Sequence, residues 1–102
     1  MRRKDHQYQE AVEAEIERIS ASPLDWIYKL PFGSRHRFTY EGKEFEGGLC
    51  HFDKDMGYEN HSLVLFLERK VFFGVYKKYM AGFSFNKNEI LEIPKEIIES
   101  CD

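Results

Sequence analysis

The stretch from Leu63 to Phe85 restricts the fold more than any other part of the chain. It begins with Leu-Val-Leu-Phe-Leu, is interrupted by the charged residues 68–70, and continues through a run rich in aromatic side chains. Aromatic and β-branched residues favour strands, and no helical period of 3.6 fits their spacing. The stretch therefore predicts the centre of an antiparallel sheet.

Length and charge predict one domain, residues 1–102, whose core needs no disulfide or metal to fold. The chain has 102 residues, of which 42% are hydrophobic, and its net charge at pH 7 is −3. A domain of this size buries roughly 65% of the surface that its unfolded chain exposes. The small negative charge argues against a protein that is basic overall and binds nucleic acid for that reason.

Three observations predict a cytoplasmic protein with no membrane partner. The charged residues 68–70 interrupt the longest apolar stretch, so no segment is long enough to span a bilayer. The basic N-terminal residues are followed by the pattern of a charged helix and not by an apolar signal sequence. Cys50 and Cys101 have no closely spaced partner, as is typical of reduced cysteines in the cytosol.

Two N-terminal helices are predicted. Between Asp5 and Ser20, apolar residues recur at helical spacing, and glutamates recur on another side. A second, short helix is expected to have Ser22 as its N-cap and Pro23 at its first position. The residues expected on the buried sides are Tyr8, Ala11, Val12, Ile16 and Ile19 in the first helix, and Trp26, Ile27 and Leu30 in the second.

Residues 35–49 predict a hairpin whose register follows from the sequence. The two-residue turn Glu41-Gly42 separates two runs of alternating polarity. One register places an aromatic pair on one face and polar pairs on the other, whereas a shift by one residue would set Phe38 against a carboxylate. The expected pairs are Phe38 with Phe45, Arg37 with Glu46, and Thr39 with Glu44.

The rest of the chain predicts further strands and a C-terminal helix. Gly47-Gly48 indicates a bulge or bend where the second strand ends, and a polar loop extends from His51 to His61. Arg69-Lys70 is the expected turn of the next hairpin, and Pro94 is expected to open the terminal helix. The remaining strands are expected at 62–67, 71–78, 79–85 (separate, or continuous with the previous one through a bend) and 89–93, where Ile90 is buried.

These elements predict an α+β fold. It consists of two N-terminal helices, an antiparallel meander of five or six strands, and a short C-terminal helix.

The densest group of residues that commonly bind metals is Cys50, His51, Asp53, Asp55 and His61. A thiolate, imidazoles and carboxylates suit zinc, but Cys50 and His51 are adjacent, and adjacent residues of a strand point to opposite faces. No nucleophile motif or glycine-rich phosphate loop is present. We therefore assign no catalytic residue, metal or cofactor and favour a non-enzymatic protein. A small metal-dependent enzyme centred on Cys50, His51 and His61 stays an alternative hypothesis.

Residues 69–87 raise a second alternative, because they carry five positive charges and no negative one. Sheets that combine aromatic side chains with cations bind single-stranded RNA or DNA. Lysines that protect an edge strand from pairing explain the same residues, and the overall acidity opposes binding to phosphates. Nucleic-acid binding is therefore kept as an alternative.

The lead hypothesis rests on clustered carboxylates. A surface of one sign speeds association with a partner of the opposite sign and helps to select it. We expect a small acidic protein of the immunity-protein or inhibitor type, bacterial or phage in origin and monomeric or homodimeric. It would block a basic partner, such as an effector, toxin or nuclease, by electrostatic and steric occlusion. The expected contact residues are Glu10, Glu13 and Glu17 on the first helix, and Asp53, Asp55, Tyr58 and Glu59 in the loop.

Overall fold

A five-stranded antiparallel sheet with two helices on one face forms the fold. The computed structural model describes residues 3–31, 33–52, 60–86, 88–94 and 97–98. The strands lie in the order of the chain, β1-β2-β3-β4-β5, so the predicted α+β class and antiparallel meander are confirmed. The elements are α1 (Arg3–Ser20), α2 (Leu24–Tyr28), β1 (Gly33–Tyr40), β2 (Lys43–Phe52), β3 (His61–Phe72), β4 (Val75–Phe85) and β5 (Ile90–Leu91).

Helix α1 lies on the sheet through the predicted apolar stripe, in which Ala11, Val12, Ile16 and Ile19 are buried. Near the start of the helix, the Tyr8 ring lies 5.2 Å from the Phe45 ring and 5.3 Å from the Tyr79 ring, measured between centroids. The sheet residues of the core come from four strands. They are Phe38, Phe45, Leu49, Leu63, Leu65, Leu67, Tyr79, Phe83 and Phe85.

Helix α2 begins one residue later than the sequence predicts. Its N-cap is Pro23, whose side chain has no atom that could accept a capping bond, and the Ser22 hydroxyl donates to the Arg18 carbonyl oxygen of α1 at 3.5 Å. Ile27 is buried as expected, but Trp26 is 43% exposed. A helix of five residues presents only one side to the sheet, and Ile27 occupies it.

The β1–β2 hairpin has the predicted register in every pair. Glu41 and Gly42 both have positive φ, 49° and 78°, as a tight two-residue hairpin turn requires. The Phe38 and Phe45 rings stack with centroids 5.6 Å apart, facing α1. On the opposite face, the Arg37 Nε atom lies 3.4 Å from the Glu46 carboxylate.

Of the bulge or bend predicted at Gly47-Gly48, the bulge is wrong, and so is the end of the second strand at this point. Both glycines stay in register with β1, paired with His36 and Arg35, and β2 continues to Phe52. Their lack of a side chain has a different reason, which is the close approach of Phe66 on β3. A Cβ atom at Gly47 would lie 2.3 Å from the Phe66 carbonyl oxygen, and one at Gly48 would lie 2.2 Å from the Phe66 ring.

The β3–β4 hairpin extends beyond its predicted turn. Its turn is Phe73-Gly74 and not Arg69-Lys70, since Gly74 supplies the positive φ of 70°. Arg69 instead pairs within the ladder opposite Lys77, and a register irregularity follows between Lys70 and Phe72. Residues 75–85 form one continuous strand, so the separately counted fourth and fifth strands are a single strand.

The second face of the sheet is covered at one end by the C-terminal segment. A Cβ atom at Gly82 would lie 2.9 Å from the Ile93 Cδ1 atom, which shows how closely Ile93 lies over β4. Strand β5 is only two residues long, and Ile90, expected to be buried, is exposed. The predicted helix count and C-terminal helix are not matched: in the described part of that end, only residues 97–98 are helical, and most of the expected helix lies outside it.

Candidate binding surfaces

The three glutamates predicted to contact a partner lie along α1 but differ in their surroundings. Glu13 and Glu17 are exposed, and the Glu13 carboxylate accepts a hydrogen bond from the Gln9 amide at 3.0 Å. Glu10 is half-buried, pairs with His6, and accepts a hydrogen bond from the Tyr40 hydroxyl at 3.1 Å. This bond raises the pKa of Tyr40, because the phenolate would face a carboxylate. Glu10 therefore also links α1 to β1, whereas Glu13 and Glu17 point into solvent.

The other four predicted contact residues, Asp53, Asp55, Tyr58 and Glu59, lie outside the described residues. Their part in a binding surface stays a prediction. The structure thus places the helical half of the expected surface only.

Glu15 is a further glutamate of α1, outside the set expected to contact a partner. It is only 5% exposed. The Arg18 guanidinium donates two hydrogen bonds to its carboxylate, at 2.8 and 2.6 Å, and the His36 Nε2 atom of β1 lies 2.6 Å from the same group. Helical spacing indicates this burial, because residue 15 lies three residues after Val12 and four before Ile19 and therefore on the apolar stripe.

Opposing effects act on the Glu15 carboxylate. Burial pushes its pKa upward, but the hydrogen bonds and charges of Arg18 and His36 outweigh burial, so the pKa lies below its ordinary value. The same contact raises the pKa of Arg18. Glu15 is therefore an ionised, hydrogen-bonded connection between α1 and β1, and its geometry fits an attachment of the helix to the sheet.

His51 and His61 form a second polar contact at the other end of the core. The His51 Nδ1 atom lies 3.0 Å from the Leu30 carbonyl oxygen, and its Nε2 atom lies 3.0 Å from the His61 Nδ1 atom. Because a carbonyl only accepts, Nδ1 of His51 carries the proton. In the neutral pair, Nε2 of His51 then accepts from His61. The Tyr28 and Phe85 rings pack against His61 at centroid distances of 4.6 and 5.3 Å.

The residues of the metal-enzyme alternative are only partly brought together. Cys50 pairs with Val64 on the face of the sheet opposite His51, as its adjacent position implies. Burial raises the pKa of the Cys50 thiol, with Lys78 acting in the opposite direction, so the thiol is not activated as a nucleophile. Across the described ranges, no group of three or more His, Cys, Asp or Glu side chains is arranged to hold a metal ion.

The sequence did not predict an exposed apolar surface, but the end of the β3–β4 hairpin is one. We call residues 70–77 the hairpin end. Four of its side chains are large, apolar and solvent-exposed: Phe72 (64%), Phe73 (94%), Val75 (42%) and Tyr76 (60%). Their composition resembles that of a core strand, and only their position beyond the cover of the helices distinguishes them.

The cations of the nucleic-acid alternative lie within the hairpin end or directly next to it. Lys70, Lys77 and Lys78 are exposed. Arg69 is half-buried, and its guanidinium donates to the Tyr79 hydroxyl at 3.3 Å while lying 5.8 Å from the Tyr8 ring. Arg69 therefore helps to attach α1 to the sheet.

Comparisons with known proteins identify no relative. The chain matches no protein-family model, no curated protein and no solved structure. No helix in the described part is both long and apolar enough to cross a membrane.

Proposed function

We propose that the protein is a small non-enzymatic binding module that blocks or regulates a basic protein partner by electrostatic and steric occlusion. One observation carries the proposal: α1 is held on the sheet by its buried stripe while Glu13 and Glu17 project from its other side. Glu10, one turn earlier, completes a row of carboxylates about 10 Å long, given a rise of 1.5 Å per residue.

The charged attachment of the helix to the sheet is separate from Glu13 and Glu17. The attachment involves Glu15, Arg18 and His36 as well as the apolar stripe, and none of these groups belongs to the outward row. A partner with complementary cations would gain association rate from this row, and the gain would fall as salt screens it. An inhibitor or immunity protein of the expected kind acts in this way.

The experiment is charge reversal on the outward row. The variant Glu13→Lys/Glu17→Lys should fold normally, since both side chains are exposed. It should associate roughly tenfold or more slowly with the partner at low salt, because steering by charge changes association rates by 10 to 1,000-fold. The partner is first purified by affinity capture from the native host with the wild-type chain, and association is then followed by stopped flow.

The matched control is Glu41→Lys/Glu44→Lys, which makes the same change of net charge at exposed positions of the β1–β2 hairpin. If both double variants slow association equally, net charge alone is responsible and α1 is not the contact surface. An unchanged rate in the α1 variant excludes the proposal outright.

A further inference from the structure

The hairpin end has the layered composition of a peripheral membrane anchor. Its outermost residues, 72–76, are the four exposed apolar residues and Gly74. Lysines follow on both strands, Lys70 on β3 and Lys77 on β4. At about 3.3 Å per residue along a strand, the Cα atom of Lys70 lies roughly 10 Å behind that of Phe73. Its side chain reaches forward, so that the ammonium group lies 5.7 Å from the centroid of the Phe73 ring. Interfacial segments insert their apolar side to a similar depth, roughly 5–10 Å, below the phosphate level.

The lysines lie on both faces of the hairpin. Lys70 pairs with Tyr76, and side chains of directly paired residues share a face. Lys77 is the next residue along β4 and so belongs to the opposite face, where it pairs with Arg69. The cations therefore surround the hairpin as a belt and do not form a row along one side.

We propose that the hairpin end binds peripherally to an anionic lipid surface. Phe72, Phe73, Val75 and Tyr76 enter the interfacial region, and Lys70 and Lys77 contact lipid phosphates around them. A plane of phosphates surrounds an inserted tip on every side, which matches a belt of cations on both faces. A single strand of nucleic acid would instead need its cations and stacking aromatic rings along one continuous face.

This inference goes beyond the proposed function and uses different residues. It also differs from the expectation of no membrane partner, which rested on the lack of a spanning segment. A peripheral contact requires no such segment. A cluster of large exposed apolar side chains that is bordered by charged residues is typical of an interaction site.

Vesicle binding tests the proposal with a fluorescence reporter placed at the tip. Trp26 lies at the opposite end of the molecule, because its neighbour Tyr28 packs against His61 and Phe85, far from the Phe73-Gly74 turn. In Trp26→Phe/Phe73→Trp, emission at low ionic strength should shift to the blue with vesicles of phosphatidylcholine containing about one quarter phosphatidylglycerol, and brominated lipid should quench it. In the wild-type chain, the same vesicles should leave Trp26 emission unchanged.

Two variants separate the apolar and charged contributions. Phe72→Ser/Phe73→Ser should abolish co-sedimentation with these vesicles. Lys70→Glu/Lys77→Glu should weaken it by roughly tenfold or more, since each lysine near an anionic surface contributes about a fivefold factor. The controls are Ile90→Ser, another exposed apolar position, and Lys29→Glu/Arg35→Glu, an equal change of charge elsewhere; both should bind as the wild type does.

Several results would overturn the proposal. Absence of a shift of the tip reporter with anionic vesicles would exclude insertion, and an equal shift with phosphatidylcholine alone would exclude recognition of anionic lipid. If the chain retards an oligonucleotide in a gel only when Lys70 and Lys77 are present, and does not bind vesicles, the ligand of the hairpin end is nucleic acid and not lipid. Self-association in light scattering that Phe73→Ser removes would show that the tip contacts a second copy. None of these results bears on association through Glu13 and Glu17.

Discussion

The β3–β4 hairpin has an inner half, residues 62–67 and 79–85, and an outer half at the turn, residues 72–76. The two halves have similar composition but opposite surroundings. Residues 62–67 and 79–85 are largely buried, whereas residues 72–76 at the turn are exposed. Both halves are rich in aromatic and aliphatic side chains, and both belong to one antiparallel ladder. Coverage distinguishes them, because α1 and α2 pack on the first half and end before the second. Apolar composition alone therefore does not determine which residues form the core.

The largest difference in stability is expected between two variants, each of which truncates one phenylalanine, Phe85 in the buried half and Phe73 in the exposed half. Phe85→Ala should destabilise the protein by about 3–5 kcal/mol, since Phe85 is fully buried against His61 and Tyr28. Phe73→Ala should change the free energy of unfolding by less than about 0.5 kcal/mol, because its ring is 94% exposed. Urea denaturation of both variants measures the difference. Equal losses would mean that the hairpin end is covered after all.

Gly82 tests how tightly the covered half of β4 is packed. A Cβ atom there would lie 2.5 Å from the Leu63 carbonyl oxygen and 2.9 Å from the Ile93 Cδ1 atom. Gly82→Ala should therefore cost about 1–3 kcal/mol by overpacking. Gly33→Ala is the control, because a Cβ atom at Gly33 meets nothing within 4 Å. A neutral Gly82→Ala would show that Ile93 and the strand move aside easily.

Substitution of Glu15 tests how α1, the helix that covers the buried half of the hairpin, is attached to the sheet. Glu15→Gln should cost about 1–2 kcal/mol at neutral pH, because it removes charge-assisted hydrogen bonds to Arg18 and His36. The pKa of Glu15 in the folded protein lies below its ordinary value of 4.5, so its stabilisation is complete above that pH and is lost as the pH falls through the lower folded value.

The difference between the wild type and Glu15→Gln should accordingly shrink below about pH 4.5. Thermal unfolding across that range measures it, with Glu13→Gln as the control because Glu13 is exposed on the same helix. A difference that stays constant down to strongly acidic pH would show that Glu15 contributes through packing and not through its charge.

The smallest effect is expected on the open face of β1 and β2. The Arg37–Glu46 pair, with side chains 72% and 43% exposed, should contribute only about 0.2–1 kcal/mol in a double-mutant cycle. Added salt should reduce this coupling further. A coupling well above that range would indicate that this face is covered in solution, for example by a second copy of the chain.

Local sequence rules predicted the parts of the fold that local interactions control. The stripe of α1 and the register of the β1–β2 hairpin follow from residue spacing, because a helix or a two-residue turn leaves few alternatives. Residues 69–70 predict the β3–β4 turn four residues before its position in the structure, because charged residues interrupt the apolar run there. At the exposed end of the ladder, charged residues such as Arg69 can pair within the strands. The turn forms instead at Phe73-Gly74, where Gly74 adopts the positive φ.

The candidate surfaces were predictable only in part. The outward position of Glu13 and Glu17 follows from helical spacing. The burial of Glu15 depends on Arg18 and on His36, which comes from a different element. The exposure of Phe72 and Phe73 depends on how far the sheet extends beyond the helices. No local sequence pattern predicts that distance.

By itself, the sequence determined the class of the fold, the apolar side of α1 and the pairing of β1 with β2, because periodicity and turn chemistry act over a few neighbouring residues. Only the tertiary structure decided which aromatic residues are core and which are surface. That decision depends on which segments of the sheet lie beneath a helix, and it separates Phe85 from Phe73 within one strand pair.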